Sequence, residues 1–340
     1  MRKAAGVEPT RPWAEICGKS REEIAGRLSG SQRIPALGSM ATLIRIWKRL
    51  PPRGNGKQFI ASPAETGQMK EAAMIFSYTQ ISQYLRCPRS YRLRYLDGWQ
   101  ERDTRAGMVF GRCFEQALAA LFCHQDPEAK LFQGWGAYRD QHLQYKNGDS
   151  WDRILHQGVH LLQRFAQDER IRIRQPQKNI QVKVLRSLSG GHEFVSYLDA
   201  IGTLDGMPCI LDWKTTTSRY PEGPDGVLAL DSQLISYSWA SGIPDVALVV
   251  FVRKHAPEIQ YLSASISEDQ RQEFGRVVEA TVNQIEAGQF SSHSGIRYPQ
   301  NGCLSCPHLG LCLNNQQLID RNLMRKPGAA DLDWLDELAD

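Results

Sequence analysis

The stretch from Cys209 to Thr215 constrains the fold of this chain more than any other. Its sequence, Cys-Ile-Leu-Asp-Trp-Lys-Thr, is an apolar run that ends in charged residues, which is typical of a strand. Because side chains alternate faces along a strand, Asp212 and Lys214 point to one side and Trp213 to the other. A carboxylate and an ammonium are costly to bury without partners. At a strand end, the first can hold a divalent cation and the second can stabilise an anion.

A second carboxylate, Asp199, lies upstream in residues 195–202, a segment that also has the pattern of a strand. Asp205 and Gly206 between the two strands favour a tight hairpin, because Asp-Gly suits the primed turn types. Antiparallel pairing of the strands would then bring Asp199 beside Asp212. The sequence therefore predicts two carboxylates and one amine at the same edge of a sheet.

The composition is that of a globular chain. Its 340 residues are 41% hydrophobic and 23% charged, which is enough for one large or two modest domains. The net charge is only +4 and is unevenly spread: residues 1–73 have 13 Lys and Arg against 6 Asp and Glu, a surplus of +7, whereas the remainder has 28 against 31, or −3. A nearly neutral body still permits nucleic-acid binding, since a local basic groove is enough. Without an apolar run of about 18 residues or a signal peptide, we expect no membrane span and a cytoplasmic protein.

We expect three segments along the chain. Residues 1–73 are rich in Arg, Pro, Gly and Ser, and predict a flexible basic leader, with a DNA-contacting arm as the functional alternative. Residues 74–318 contain the motifs with chemical potential and predict the folded domain. Residues 319–340 form a C-terminal tail. The folded domain opens with Ser77 and Gln80, which have the spacing of a helix capping box.

Helices and strands alternate through the predicted domain. Residues 127–145 and 150–169 have the periodicity of amphipathic helices. Residues 246–252 form a continuous apolar run, as in a strand deep in a sheet, and residues 258–262 are its expected hairpin partner. A long helix is predicted over residues 267–287.

Two further helices each contain a polar motif. Residues 107–118 place Ala, Leu and Phe on one face and include Gly111-x-x-x-Glu115. Unless Glu115 has a chemical role, it is an ordinary solvated charge on the helix surface. The helix after the charged strand contains Gln233 and Tyr237, which share a face because they are four residues apart. An ordinary amphipathic helix with a half-buried tyrosine is the alternative interpretation of this pair.

Cysteines near the C-terminus form the second strong motif. Cys303, Cys306 and Cys312 follow the pattern C-x₂-C-x₅-C, and C-x₂-C is a metal-chelating spacing. Thiolates suit both iron–sulfur clusters and Zn²⁺, and the spacing does not distinguish them. Three thiolates need a fourth ligand, which His308 could supply in a local zinc site. In a reducing compartment we expect no disulfide framework. The other cysteines outside this motif are expected to be ordinary thiols: Cys17, Cys113, Cys123 and Cys209.

In their order along the chain, these motifs resemble the PD-(D/E)XK nuclease superfamily, and within it the RecB-like iron–sulfur nucleases. The motifs that carry the resemblance are Cys87-Pro88, Gly111-x-x-x-Glu115, Asp199, Asp212-x-Lys214, Gln233-x-x-x-Tyr237 and the C-terminal cysteines. The cysteine pattern is similar to that of AddB-type nuclease domains and CRISPR-associated RecB-like exonucleases. The chain departs from the family at Glu115, where the family usually has histidine, although glutamate is also a good ligand for Mg²⁺ or Mn²⁺.

The resemblance implies an α/β fold of the restriction-endonuclease type. It has a central mixed β-sheet flanked by helices and a cysteine-cluster staple that joins the N- and C-terminal parts. Glu115, Asp199 and Asp212 would hold Mg²⁺ or Mn²⁺ for phosphodiester hydrolysis. Lys214 would orient the attacking water or neutralise the developing negative charge. Cys87 would join the three C-terminal cysteines around a 4Fe–4S cluster.

The implied substrate is DNA, single-stranded or at duplex ends, and the implied role is exonuclease action in repair or recombination. Gln233 and Tyr237 would contact DNA or support the site. The chain has no glycine-rich P-loop, so it contains no motor of that type, and a helicase partner is left open. Two rival hypotheses are a catalytically inactive DNA-binding scaffold of the same fold and a zinc-stapled protein unrelated to nucleases.

Overall fold

The computed structural model describes only part of the 340-residue chain. The described ranges are 7–9, 73–146, 148–224, 226–292 and 302–326. Apart from the short strand at 7–9 and residue 73, the predicted leader therefore lies outside the described residues. The end of the predicted tail, from residue 327, lies outside them as well.

The chain in these ranges alternates between strands and helices. The strands are β1 (Val7–Pro9), β2 (Ile75–Ser77), β3 (Trp99–Glu101), β4 (Thr104–Arg105), β5 (Leu143–Gln144), β6 (Ile171–Arg172), β7 (Ile180–Ser187), β8 (Glu193–Leu204), β9 (Met207–Thr216), β10 (Asp245–Val252), β11 (Glu258–Ser265) and β12 (Leu323–Arg325). The α-helices are α1 (Tyr78–Arg86), α2 (Pro88–Tyr91), α3 (Ala106–Phe122), α4 (Pro127–Gly136), α5 (Trp151–Ala166), α6 (Pro176–Asn179), α7 (Ser232–Ser241), α8 (Glu268–Glu286), α9 (Leu309–Leu313) and α10 (Gln316–Asn322).

The central sheet is mixed. Its order is β1-β7-β8-β9-β10-β11, and β2 and β6 also pair with the long strand β8. β9 runs parallel to β10 and β2 runs parallel to β8, whereas the other pairs in this sheet are antiparallel. Two small sheets join β3 to β12 and β4 to β5. This mixed sheet with flanking helices confirms the fold class expected from the sequence.

The two faces of the sheet bury two large apolar clusters. One cluster joins the sheet to α3, α4 and α5 and includes Leu211, Trp213 and Phe251. The other joins it to α1, α7 and α8 and includes Ile210 and Val246. Alternation along β9 therefore places Trp213 in one core and Ile210 in the other, as the period of a strand requires. The charged residues Asp212 and Lys214 alternate with Trp213 in the same way.

Most local expectations are confirmed and one is wrong. The capping box of Ser77 and Gln80 begins α1, and Ser267 caps α8 in the same way. A continuous helix over 127–145 is wrong, since α4 ends at Gly136. Glycine lowers helix stability by about 1 kcal/mol relative to alanine, and Gly134 and Gly136 lie in the last turn of α4.

Helix α10 and strand β12 occupy the start of the predicted tail, and β12 pairs with β3. No helix in the described ranges is both long and apolar enough to cross a membrane.

Candidate active site

The β8–β9 hairpin positions the two aspartates. Asp205 and Gly206 form its turn, both with positive φ (51° and 86°), as the Asp-Gly sequence predicts. Pairing runs from Leu204 opposite Met207 to Ala200 opposite Leu211 and stops there. The next opposed positions in this register are Asp199 and Asp212. The hairpin is thus confirmed, and the two carboxylates lie where its strands cease to pair.

The edge of β8 that faces β9 contains a gap in strand pairing. Residues 193–195 pair with β2 and residues 200–204 pair with β9. β7 occupies the opposite edge over 193–200, and among the strands that the structure describes none pairs with residues 196–199 on the β9 edge. Polar side chains can enter the sheet at this gap without breaking a ladder. Asp199 stands at its end.

Direct contacts join the acidic side chains to each other and to the lysine. The Asp199 Oδ2 atom accepts a hydrogen bond from the Trp213 backbone N–H at 2.8 Å. The side chain of Glu115, from α3, is hydrogen-bonded to that of Asp199. Lys214 Nζ lies 2.6 Å from Asp212 Oδ2. The structure therefore brings together all four residues predicted for the catalytic site.

Burial makes the three carboxyl groups hard to ionise. It raises the pKa of Glu115 to about 7, with the Asp212 charge as the next cause. Burial and the Glu115 charge raise the pKa of Asp199 to about 8. Burial and the Asp199 charge raise the pKa of Asp212 to about 7. Lys214 opposes all three shifts but does not cancel them. If all three carboxyls were ionised, they would carry more negative charge than one ammonium neutralises, so the neutral forms are favoured when no cation is bound.

Lys214 remains a cation in this setting. Burial alone would lower the pKa of its ammonium, but the Asp212 and Asp199 carboxylates outweigh burial and raise that pKa above its ordinary value. The Lys214 side chain is 32% exposed. Lys214 can therefore present a positive charge to an anion that approaches from solvent.

The donor chemistry of the site fits a divalent cation. Carboxylate oxygens are the ligands that Mg²⁺ and Mn²⁺ prefer. Asp212 is fully buried, and its Oδ1 accepts no hydrogen bond from any residue that the structure describes. Such an uncompensated acceptor is costly unless a cation or another donor reaches it. Still, no three His, Cys, Asp or Glu side chains within the described ranges have the arrangement of a formed metal site. The carboxylates instead contact each other and Lys214.

The Gln233–Tyr237 pair adjoins the carboxylates. Gln233 Nε2 donates a hydrogen bond to the Tyr237 hydroxyl at 2.7 Å. Tyr237 is buried, and its pKa is raised well above the ordinary value by burial and by the charges of Asp212, Asp199 and Glu115. The helix that carries the pair begins at an N-cap, Asp231. Burial of Tyr237 gives this residue a supporting position, while Gln233 remains half-buried.

A cleft of about 180 Å³ opens beside Glu115 and Lys214. Its lining comes from one face of α3 and the end of β9: Gly107, Met108, Gly111, Arg112, Phe114, Glu115, Trp213, Lys214 and Thr215. A Cβ atom at Gly111 would lie 3.5 Å from Thr215 Oγ1, so helix and strand approach closely here. Met108 and Arg112 are cleft residues that the sequence motifs did not single out, although they stand seven and three positions before Glu115 on the same helix.

A larger cavity, of about 460 Å³, lies at the turn end of the hairpin. Glu169, Arg170, Arg172, Asp205 and Gly206 line it. Its two central charges are already paired, since Arg170 donates two hydrogen bonds to the Asp205 carboxylate. None of the clustered carboxylates lines this cavity, so chemistry rather than volume identifies the smaller cleft as the candidate site.

The predicted cluster cysteines lie in a second region. Cys87, Cys303, Cys306 and Cys312 are all free thiols. Burial raises the pKa of Cys306, and nearby Cys87 and Cys303 contribute to this increase. Cys87 also contributes to the raised pKa of Cys312. Cys87 thus lies near the C-terminal cysteines, although it precedes Cys303 by 216 positions in the sequence. Within the described residues, the four side chains are not arranged as a formed metal site.

His308 is engaged by polar partners instead of facing the thiols freely. Its Nδ1 lies 2.9 Å from Ser90 Oγ, and its ring is also hydrogen-bonded to the Trp99 backbone. Ser90 lies 4.0 Å from Cys306 Sγ and accepts a hydrogen bond from Gln83 Nε2. Both sides of the imidazole therefore have partners, which disfavours His308 as a local zinc ligand.

The remaining cysteines follow the expectation in part. Cys113 and Cys209 are buried free thiols, as expected. For Cys123 the expectation is wrong, because this residue is disulfide-bonded. Cys17 also lies outside them.

A sequence model of the PD-(D/E)XK nuclease superfamily matches residues 75–313, about two thirds of the chain. The chain belongs to the PD-(D/E)XK nuclease superfamily. The match covers both the carboxylate site and the cysteine region. Members of this superfamily are nucleases, which are hydrolases, and they typically use divalent metals such as Mg²⁺.

Solved structures similar to this superfamily member are distant. The protein SSO0001 is 16% identical, with 72% of this chain and 88% of that chain covered at a TM-score of 0.33. A protein from Eubacterium rectale named "Putative exonuclease" is 14% identical, with coverages of 82% and 98% and a TM-score of 0.42. Rai1 of Scheffersomyces stipitis is 12% identical, with coverages of 64% and 64% and a TM-score of 0.23. No curated protein matches the chain.

Proposed function

We propose that this chain is a Mg²⁺- or Mn²⁺-dependent nuclease that hydrolyses phosphodiester bonds of DNA in the cytoplasm. We propose further that it acts as an exonuclease in repair or recombination, with a helicase or recombination protein as a partner. One observation carries the proposal. Glu115 contacts Asp199, and Lys214 contacts Asp212, beside an open cleft in a chain of the nuclease superfamily.

The three carboxylates are the proposed metal ligands. Glu115, Asp199 and Asp212 would hold the ion through their side-chain oxygens, so that glutamate replaces the usual histidine of the family. A divalent ion bound there lowers the pKa of water and offsets negative charge on the phosphate. Asp199 is oriented for this role by the backbone N–H of Trp213.

Lys214 has a separate role in the proposal. Its ammonium stays protonated because the neighbouring carboxylates raise its pKa. A fixed positive charge at Nζ stabilises the negative charge that develops on the phosphate in the transition state. We therefore assign Lys214 to charge stabilisation rather than to proton abstraction.

Gln233 and Tyr237 complete the proposed site. The buried Tyr237 hydroxyl holds Gln233 by a 2.7 Å hydrogen bond, which fixes the orientation of the amide. Gln233, the more exposed of the two, is the proposed substrate contact. Tyr237 supports it and packs beside the carboxylates.

We also propose that Cys87, Cys303, Cys306 and Cys312 hold a 4Fe–4S cluster with a structural role. Four free thiols from the two ends of the matched region lie close together, and thiolates are the usual ligands of such clusters. Zinc is the alternative metal for the same ligands. Anaerobic purification with measurement of iron, sulfide and zinc distinguishes the two.

The central test is cleavage of end-labelled oligonucleotides by the full chain. Wild-type protein with Mn²⁺ should degrade single-stranded DNA or duplex ends and should be inactive in EDTA. Lys214→Ala should lose about 10²-fold or more in kcat while its circular dichroism is unchanged. Lys178→Ala, which removes an exposed lysine from α6, is the matched control and should retain activity. Cleavage by Lys214→Ala at the wild-type rate would refute the assignment.

The inactive scaffold remains the second candidate. It is favoured by Glu115, which stands where the family usually has histidine. A scaffold would bind the labelled DNA but leave it intact at every concentration of Mn²⁺ and Mg²⁺.

Parallel assays with single-stranded RNA of the same sequence decide between DNA and RNA as substrate.

A further inference from the structure

One face of α3 continues from the proposed metal ligand to the outer end of the cleft. Met108, Arg112 and Glu115 stand at positions i, i+4 and i+7, a spacing that places side chains on the same helical face. All three line the cleft together with Lys214. Glu115 is half-buried, whereas Arg112 is exposed and Met108 is 57% exposed. The face thus changes from acidic to cationic to apolar toward the first turn of the helix.

Arg112 presents its guanidinium to this cleft. No salt bridge or hydrogen bond joins it to another residue in the described part of the chain, and its charge only partly offsets the raised pKa of the nearby Glu115. By contrast, Arg105 at the start of the same helix is paired with Glu101 at 2.8 Å. A guanidinium offers five N–H donors in a planar fork that matches phosphate oxygens. Arg112 is therefore available to an anion that comes from solvent.

Arg112 and Glu115 lie close together along the helix. Arg112 precedes Glu115 by three residues, or about 4.5 Å along the helix axis. Arg112, Glu115 and Lys214 line the same cleft, so a strand bound there passes all three. A strand whose scissile phosphate lies beside Glu115 and Lys214 would therefore place a neighbouring phosphate within reach of Arg112.

Met108 lies one further turn away and has no charge to offer. An exposed apolar side chain beside a phosphate-binding residue can pack against a base, and methionine is among the residues that insert between base steps. Such a contact needs a base that is free of its stacking neighbour. A single strand or a frayed end provides one without the cost of unpairing.

We propose that the Met108–Arg112 face of α3 binds a single polynucleotide strand, with Arg112 on the phosphate next to the scissile one and Met108 against the adjoining base. The inference rests on the proposed nuclease function and adds to it a strand-binding subsite and a preference for unpaired ends. Because these contacts form equally in the ground state and the transition state, they determine KM more than kcat.

Binding measurements separate this inference from the nuclease proposal. Binding of a labelled single-stranded oligonucleotide of about 12 nucleotides is measured by fluorescence anisotropy, with Ca²⁺ in place of Mn²⁺. The salt concentration is varied from about 50 to about 200 mM, the range over which phosphate contacts change the affinity strongly. Arg112→Gln should weaken binding several-fold and reduce the slope of log K against log salt by about 0.7, the value for one lost contact to a single strand. Arg112→Lys should keep most of the slope. Arg276→Gln, which removes an exposed arginine from α8, is the matched control and should keep the wild-type slope.

Met108→Ser tests the apolar half of the face. It should weaken binding of the single strand with an unchanged salt slope, and it should reduce the preference for a single strand over a blunt duplex. Where wild-type protein cleaves DNA, Arg112→Gln should raise KM several-fold and change kcat by less than about twofold. A wild-type slope and wild-type KM in Arg112→Gln would overturn the inference while leaving the nuclease proposal intact. Binding without cleavage by wild-type protein would refute the nuclease proposal, and the salt slopes would still decide the inference.

Discussion

At the scale of single residues, the site opposes the stability of the fold. Three carboxyl groups share a buried region, and one ammonium pairs with only one of them. Burial raises the pKa of each, so each favours its neutral form in the folded protein. A group whose folded pKa is raised contributes stability below its unfolded pKa and loses that contribution as pH rises through the folded pKa. Without an added cation, the stability of the fold should therefore fall as the pH rises from about 4 to about 8, and these groups should cause little further change above that range.

The variant Glu115→Gln tests this balance. At pH 4 the Glu115 carboxyl is mostly neutral in both the folded and the unfolded protein, since its pKa is about 7 when folded and 4.5 ordinarily, so glutamine should leave the free energy of unfolding nearly unchanged. At pH 8.5 the variant should be more stable than wild type by about 1–2 kcal/mol, because a pKa unit corresponds to about 1.4 kcal/mol and solvent screens part of the effect. Urea denaturation in EDTA at both pH values measures the difference. Equal effects at the two pH values would contradict the pKa shift.

Added metal should reverse the effect of pH. The carboxylates must lose their protons before they bind a cation, so binding of Mn²⁺ competes with protonation. We expect a given concentration of Mn²⁺ to raise the midpoint of thermal unfolding at pH 8 by several degrees more than at pH 6. A NaCl series at matched ionic strength serves as the control. A shift of the same size at both pH values would show that the cation binds elsewhere.

At the scale of elements, the sequence determines the hairpin more clearly than the docking of α3. The Asp205-Gly206 turn and the charged end of β9 could be predicted because they depend on local turn chemistry and on the period of a strand. The helix around Glu115 could be predicted as well. Its distance from the strand could not, since this depends on the close approach of Gly111 to Thr215. The pairing gap in β8 and the availability of Arg112 are also products of tertiary structure.

Two glycines in packed helices should respond to alanine in opposite directions. At Gly111 a Cβ atom would lie 3.5 Å from its nearest neighbour, so Gly111→Ala should stabilise the protein by about 0.5–1 kcal/mol through helix propensity. At Gly158 in α5, a Cβ atom would lie 2.7 Å from Phe110 Cζ, so Gly158→Ala should destabilise it by about 1–3 kcal/mol. Urea denaturation of both variants measures whether each substitution raises or lowers the free energy of unfolding. Equal losses would contradict the described packing.

At the scale of the whole molecule, the two ends of the folded region meet near the cysteines. The segment after α1 and the segment from 302 to 326 meet through the Ser90–His308 contact and the β3–β12 pairing. The C-x₂-C-x₅-C spacing predicted the C-terminal thiols as a group. Cys87 could be associated with them only through the resemblance, because nothing local indicates a partner more than 200 residues away. The Ser90–His308 contact could not be predicted, since neither residue has a distinctive pattern around it.

If a cluster joins Cys87 to the C-terminal cysteines, replacing a cysteine in either segment should cause the same loss of iron and of stability. Cys87→Ser and Cys306→Ser should each lose most of the bound iron and about 3–5 kcal/mol of stability, because the cross-link closes a long loop. Cys113→Ala, in the apolar core, should lose stability through packing but retain its iron. Iron analysis and thermal unfolding of anaerobically purified proteins measure both quantities. Full iron content in Cys87→Ser would exclude this residue as a ligand.

The most direct test of the proposed active site is calorimetric titration of Mn²⁺ into the full-length protein at pH 8. If Glu115, Asp199 and Asp212 hold the ion together, wild-type protein should show saturable binding. Asp212→Asn should abolish this binding, and Glu115→Gln should weaken it about tenfold or more, in line with the loss of one charged ligand. No binding to wild-type protein, or unchanged binding to Asp212→Asn, would contradict the assignment of these carboxylates to a catalytic metal site.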